Sequence, residues 1–125
     1  MTLIADIRLG LINAITDLTI SNVFIDFCPA SPADLVCITQ YGSRDIMNKH
    51  VSQGKNIQVL ARHSSSEIAI SLINSIRNVL ATENNYLLIN SRHCYIDIIS
   101  EPAFLKRENN LSYYTFNFFV HSNKD

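Results

Sequence analysis

Apolar residues recur at three- and four-residue steps over residues 2–18, at Leu3, Ile4, Ile7, Leu11, Ala14, Ile15 and Leu18. That spacing predicts an amphipathic helix with Thr2 as its cap. Gly10 falls inside it at a cost of about 1 kcal/mol relative to alanine, which points to a close packing contact or a weak point. A second stripe, Ala69, Leu72, Ile73, Ile76 and Leu80, predicts another helix, with Ser71, Asn74, Ser75 and Asn78 facing out. The remaining apolar runs are short and bounded by turn residues, as strands are. They cover residues 23–27 (VFIDF, a short strand), 35–41 (LVCITQY) and 57–63 (IQVLARH, with Ile57, Val59 and Ala61 on one face). Residues 93–100 (HCYIDIIS) and 111–120 (LSYYTFNFFV) predict an antiparallel hairpin, bridged by residues 101–110 with a polar turn at their end. The expected fold is α+β: a mainly antiparallel four-stranded sheet with two main helices packed on it, in the order α-β-β-α-β-β.

Composition narrows the class. A chain of 125 residues, 47% hydrophobic and 17% charged with three Gly and three Pro, predicts one globular domain over residues 1–125. The formal net charge of −1 gives no global attraction to nucleic acid or to an anionic membrane. Cys28, Cys37 and Cys94 are widely spaced in apolar surroundings and form no CxxC, so they read as small buried hydrophobes in a reducing compartment. The N-terminal residues carry Asp6 and Arg8 within the helical pattern and lack a basic leader, so no secretory signal or membrane span is expected. The chain is expected to be soluble and used in a cytoplasm, with residues 121–125 frayed.

The chemistry-bearing stretch is ARHSSSEI, residues 61–68. A small hydrolase would use one of Ser64, Ser65 or Ser66 with His63 as base and Glu67 behind it. Residues so close in sequence rarely reach that geometry across a strand end and a helix start, and there is no G-x-S-x-G elbow. The spacing Ser64-Ser65-Ser66-Glu67 is instead a capping box, with the Ser64 hydroxyl accepting from the Glu67 N–H and the Glu67 carboxylate reaching back to the Ser64 N–H. His63, His93 and Cys94 lack metal-ligand spacing. No catalytic residue, metal or cofactor is expected. Two surfaces stand out. The polar segment 42–56, with Arg44, Lys49, His50 and Lys55, is the most basic part of the chain and reads as a projecting loop that faces solvent or a polyanion. On the last strand, Tyr113 and Phe119 fall on the face opposite Tyr114, Phe116 and Phe118, and become partner-facing if helices cover only one side.

Order and spacing together carry a resemblance. An amphipathic helix precedes VFIDFCPASPADLVCITQYG, a strand, a P-x-x-P-x-D loop and a strand ending in Gly42. IQVLAR and the capped helix follow, and DIISEPAFLKRENNLSYYTFNFFV closes the chain with strand, proline, phenylalanine, polar turn and aromatic strand. Over nearly its whole length the chain resembles the tail terminator (tail-completion) proteins of long-tailed bacteriophages, in the minor capsid protein group of Gram-positive phages and prophages. The resemblance implies a structural subunit of a homo-hexameric ring. Such a ring caps the tail tube, stops tail polymerisation and meets the head-completion protein at the neck of the virion after assembly in the host cytoplasm. It also implies a loop directed at the channel through which DNA passes without sequence recognition, for which residues 42–56 are the candidate. A neck adaptor that binds the connector is the alternative within the same layout.

Overall fold

The computed structural model describes residues 2–44 and 54–122. The elements run α1 (Leu3–Ala14), β1 (Val23–Ile25), β2 (Leu35–Arg44), β3 (Gly54–His63), α2 (Ser66–Leu80), β4 (Tyr86–Ile89), β5 (Arg92–Glu108) and β6 (Leu111–Ser122). They build one six-stranded sheet in the order β1-β2-β3-β6-β5-β4, curled into a half-barrel with two helices. β1 runs parallel to β2, and every other neighbouring pair is antiparallel.

This corrects the expected four-stranded sheet and its α-β-β-α-β-β order. The two strands beyond the expected four are the short one at residues 23–25 and the unforeseen β4, and both lie at the sheet edges. β1 has three residues, and β4 has four whose exposure alternates. β1 falls within the short strand expected at residues 23–27, whereas β4 is too short to impose a period, so hydrophobic patterning alone cannot separate it from loop. Turn chemistry is the better signal. Asn90 and Ser91 (φ 48° and 65°) join β4 to β5, and Asn109 and Asn110 (φ 54° and 64°) join β5 to β6. Positive φ at both central residues is what a two-residue hairpin with right-twisted strands demands, and Asn tolerates it better than other residues with a Cβ.

β5 also outruns its expected end at residue 100 and continues to Glu108. Pro102 lies inside it, and the β5–β6 register pairs neither Glu101 nor Pro102. A proline has no N–H to give, and an edge strand does not need one there. At the other hairpin, Gly42, Ser43 and Arg44 pair with Asn56, Lys55 and Gly54, so the ladder extends into both ends of segment 42–56.

α1 begins where Thr2 Oγ1 accepts from the Ala5 N–H at 3.3 Å. It stops at Ala14, short of the expected residue 18, yet Ile15 and Leu18 stay buried. They reach the same core from a turn, closed by the Leu18 N–H on the Ile15 carbonyl, and apolar spacing cannot tell that turn from a further helical one. Gly10 marks a close approach: a Cβ there would lie 2.1 Å from Ile89 Cγ1.

One core joins both helices to one face of the sheet. Leu3, Ile7 and Leu11 of α1 and Ile73, Ile76 and Leu80 of α2 pack on Val36, Ile38, Ile57, Val59, Phe116, Phe118 and Val120. Each such side chain, fully buried, contributes about 1.5–3 kcal/mol. Among the described residues, the opposite face carries no helix. One end of it is covered by residues 27–34, its middle exposes Gln58, Thr115 and Asn117 in part, and its other end holds the rings of Tyr86, Tyr95, Phe119 and His121.

Candidate functional site

The Ser64–Ser66 cluster sits at the joint between β3 and α2, where Ser65 accepts from a backbone N–H and Ser66 bonds side chains of the β5–β6 hairpin. Ser65, not Ser64, is the cap: its Oγ accepts from the Ile68 N–H at 3.3 Å. The expected Ser64–Glu67 box does not form because the Ser64 N–H already donates to Asp34 Oδ1 at 3.0 Å. No orphan donor remains there for Glu67, which is exposed. His63 Nδ1 accepts from the Ser65 N–H at 2.9 Å, and Nε2 lies 3.3 Å from Asp34 Oδ2. A neutral ring so held carries its proton on Nε2 and has no nitrogen left to deprotonate a serine. Ser66 Oγ is hydrogen-bonded to Ser112 Oγ, which also receives Arg107 Nη1 at 2.6 Å. The cluster therefore fixes a helix start and ties the β5–β6 hairpin to it. Ser65→Ala is expected to lower stability by about 1 kcal/mol. A thermal melt unchanged within error would mean that neighbouring groups had taken over the cap.

The loop ahead of β2 is held from behind by Arg62, which is buried at 5% exposure on the helix-free face. Its Nε donates to the Ala33 carbonyl at 2.8 Å, and Nη2 to the carbonyls of Pro29 and Pro32 at 2.8 Å each and of Ala30 at 3.3 Å. A lone Arg at the end of a strand pattern gives no hint of this, because its partners are main-chain atoms about thirty residues earlier in the chain.

A second buried polar centre joins α1 to the β4–β5 turn. Asp6 accepts from Asn90 Nδ2 at 2.6 Å and from Arg92 Nε at 2.8 Å. Burial pushes the Asp6 carboxyl up, but the hydrogen bonds from Arg92 and Asn90 and the Arg92 charge outweigh it and hold it below its ordinary value. Of the cysteines, Cys37 and Cys94 are buried, and burial pushes the Cys94 thiol up to about 11, so it stays protonated at neutral pH. Cys28 differs from expectation and is exposed, on the loop that Arg62 gathers.

Of the basic candidates, Lys49 and His50 lie outside the described residues. Arg44 ends β2, with its backbone opposite Gly54, and Lys55 is a half-buried member of β3 opposite Ser43 and Val120. The aromatic pair divides. Tyr113 is half-buried on the helix-free face beneath Lys106 Nζ, 4.7 Å from the ring centroid. Phe119 is buried at 5%, over Gly54 and edge-on to Tyr95. It presents no free surface in the subunit, because Gly54 lets the ring settle where any Cβ would collide with it. His63 and Cys94 pair with Ser112 and Ser122 at opposite ends of β6, roughly 30 Å apart along the strand. His93 and Cys94 are consecutive in β5 and so point to opposite faces. No metal set can form from the three.

The surface that patterning missed is the outer edge of β5. β4 covers Arg92 to Tyr95 and the Asn85 carbonyl accepts from the Ile96 N–H, so among the described residues no strand pairs with the outer edge of β5 beyond Ile96. Ile99, Phe104 and Leu105 along it are about half exposed. Its one sequence signal is Pro102 within IISEPAFL, residues 98–105, since a proline inside a strand marks an edge. Three register breaks, at 98/100, 100/103 and 104/106, interrupt its pairing with β6.

A family model described as bacteriophage tail terminator protein matches residues 4–122. Among solved structures, a chain from the virion of a native gene transfer agent (GTA) particle superposes with a TM-score of 0.64, covering 92% of this chain and 92% of that chain at 8% identity. At that identity the likeness is one of fold. A search of the curated proteins returned no match.

Proposed function

Because this chain belongs to the bacteriophage tail terminator protein family, we propose that it assembles into a ring that caps the finished tail tube, stops tail polymerisation and joins the tail to the neck of the virion. The family is one of structural phage proteins, so the chain is a phage tail protein and not an enzyme. The observation that supports the finer reading is the asymmetry of the sheet. One flank ends in β1 and the open part of β2, the other in the irregular outer edge of β5. Contact between unlike flanks of identical subunits is heterologous, and such contacts close into a ring when the rotation permits. The reading includes six subunits per ring, as the resemblance implies. Arg44, Lys49, His50 and Lys55 are assigned on charge to the channel side, where they meet DNA phosphates without reading bases.

The test is tail-tube length. Tubes assembled from tube protein should stop at a defined length, or stay capped against further growth, when the protein is added. Equal growth with and without it removes the terminator reading. In the same assay, Arg44→Glu with Lys49→Glu should still cap tubes while infectivity falls. Full infectivity of that variant takes the basic segment out of the mechanism.

A further inference from the structure

A groove of about 630 Å³ runs between α2 and the β1–β2 side of the molecule. Its floor is apolar, made by Leu18, Val36 and Leu72, and its rim carries the carboxylates of Asp17, Asp34 and Glu67. His63 also lines it, but its proton is directed to Asp34. No lysine or arginine is among the described lining residues. Ile68 stands at the mouth, 50% exposed although it lies in the first turn of α2. An apolar floor under an anionic rim suits a segment that offers apolar side chains followed by cations.

The chain carries such a segment on its other flank. Phe104 and Leu105 are 56% and 53% exposed, and Lys106 and Arg107 follow them. Phe104 leans edge-on against Tyr114 with centroids 5.5 Å apart, which fixes its direction without covering it. Leu105 is the unmatched residue of the 104/106 register break, and Ile99 that of the 98/100 break. Bulges of this kind re-aim a side chain away from the sheet. Lys106 lies 3.6 Å from Glu108 and 4.7 Å from the centroid of its own Tyr113 ring, and Arg107 donates to Ser112 Oγ at 2.6 Å. The tip therefore keeps one net positive charge, and Lys106, half exposed, must exchange its present contacts to dock. The two features cannot meet within one molecule. α2 lies between them, with Arg77 bound to Glu101 of β5 on one side and Ile68, Ser71 and Leu72 facing the groove on the other.

We propose that the Phe104–Leu105–Lys106 segment of one subunit docks into the α2–β2 groove of a second copy, with Leu105 on the apolar floor and Lys106 at the Asp17–Glu67 rim. The contact is head-to-tail, so each subunit uses one groove and one hairpin tip, and repetition closes the ring. The register breaks favour side-chain docking over continuous strand pairing, because a regular ladder cannot run along that edge. The inference rests on the ring reading above and adds the surfaces that build it.

Four chains test it by light scattering at rising concentration and by electron microscopy on tube ends: wild type, Leu105→Asp, Glu67→Lys, and Glu67→Lys with Lys106→Glu. All four should melt as folded domains within a few degrees of each other, since residues 67, 105 and 106 are exposed. Wild type should form rings, and Leu105→Asp should stay monomeric. Glu67→Lys should need at least tenfold more protein to assemble, and the double variant should recover most of that loss. Rings from Leu105→Asp at wild-type concentration, or no recovery in the double variant, overturn the docking but leave the ring intact. Absence of rings from wild type both in solution and on tubes overturns both.

Discussion

Arg62→Met is expected to destabilise the domain by about 3 kcal/mol, a fall of roughly 10 °C in melting temperature for a chain of this size. Four main-chain carbonyls, of Pro29, Ala30, Pro32 and Ala33, lose the guanidinium that donates to them in one step. Hydrogen bonds from a charged donor are worth about 1.5–3 kcal/mol each, so their simple sum would be larger. It is not reached, because Ala30, Pro32 and Ala33 are exposed and their carbonyls turn to water once released. What disappears is the order of the loop. Rapid proteolysis between residues 27 and 34 should therefore accompany the lower melt. Arg62→Lys should recover little, since an ammonium has three donors on one atom and cannot span carbonyls spread along a loop. A melting temperature within 2 °C of wild type for Arg62→Met would show that the loop stands without the guanidinium.

Asp6→Ala should cost about 3 kcal/mol at neutral pH, because it takes the carboxylate from a guanidinium that is itself only slightly exposed. The same residue sets a pH response. In the folded protein the Asp6 carboxyl lies below its ordinary value, while in the unfolded chain it returns to about 3.9. Between those two values the unfolded state binds more protons, so stability rises with pH there. The contribution is complete above about pH 5 and is lost as pH falls through 4 toward the folded value. Wild type should therefore lose more stability than Asp6→Ala between pH 5 and pH 3. Parallel acid curves for the two chains would remove Asp6 as the cause.

These two centres show where the sequence stops being readable. The stripe of α2 and the faces of β3 and β6 follow from local periodicity, because each element states its own burial pattern within a few residues. Asp6 and Arg92 are separated by 86 positions, and Arg62 binds carbonyls that every residue possesses. Nothing local distinguishes such pairs from solvated charges. The ARHSSSEI joint was legible in kind, as a helix start, but the cap moved from Ser64 to Ser65 because Asp34 arrived from a distant loop. The burial of Phe119 within the subunit was hidden for a similar reason: its pocket is made by Gly54 on the neighbouring strand. The β5 edge was hidden by charges and a proline that reduce strand propensity, although both are what an outer strand tolerates.

The broken register of β5 also governs what becomes of surplus chains. A straight strand with an open edge recruits copies of itself and stacks into cross-β fibrils without limit. Pro102 withholds a donor from any such stack, and each of the three breaks turns the remaining groups out of line. A second β5 laid against the first would lose its pairing after a few rungs, so growth of that kind stops itself. Subunits at high concentration are thereby protected from open-ended pairing along this edge, whatever other contacts they make.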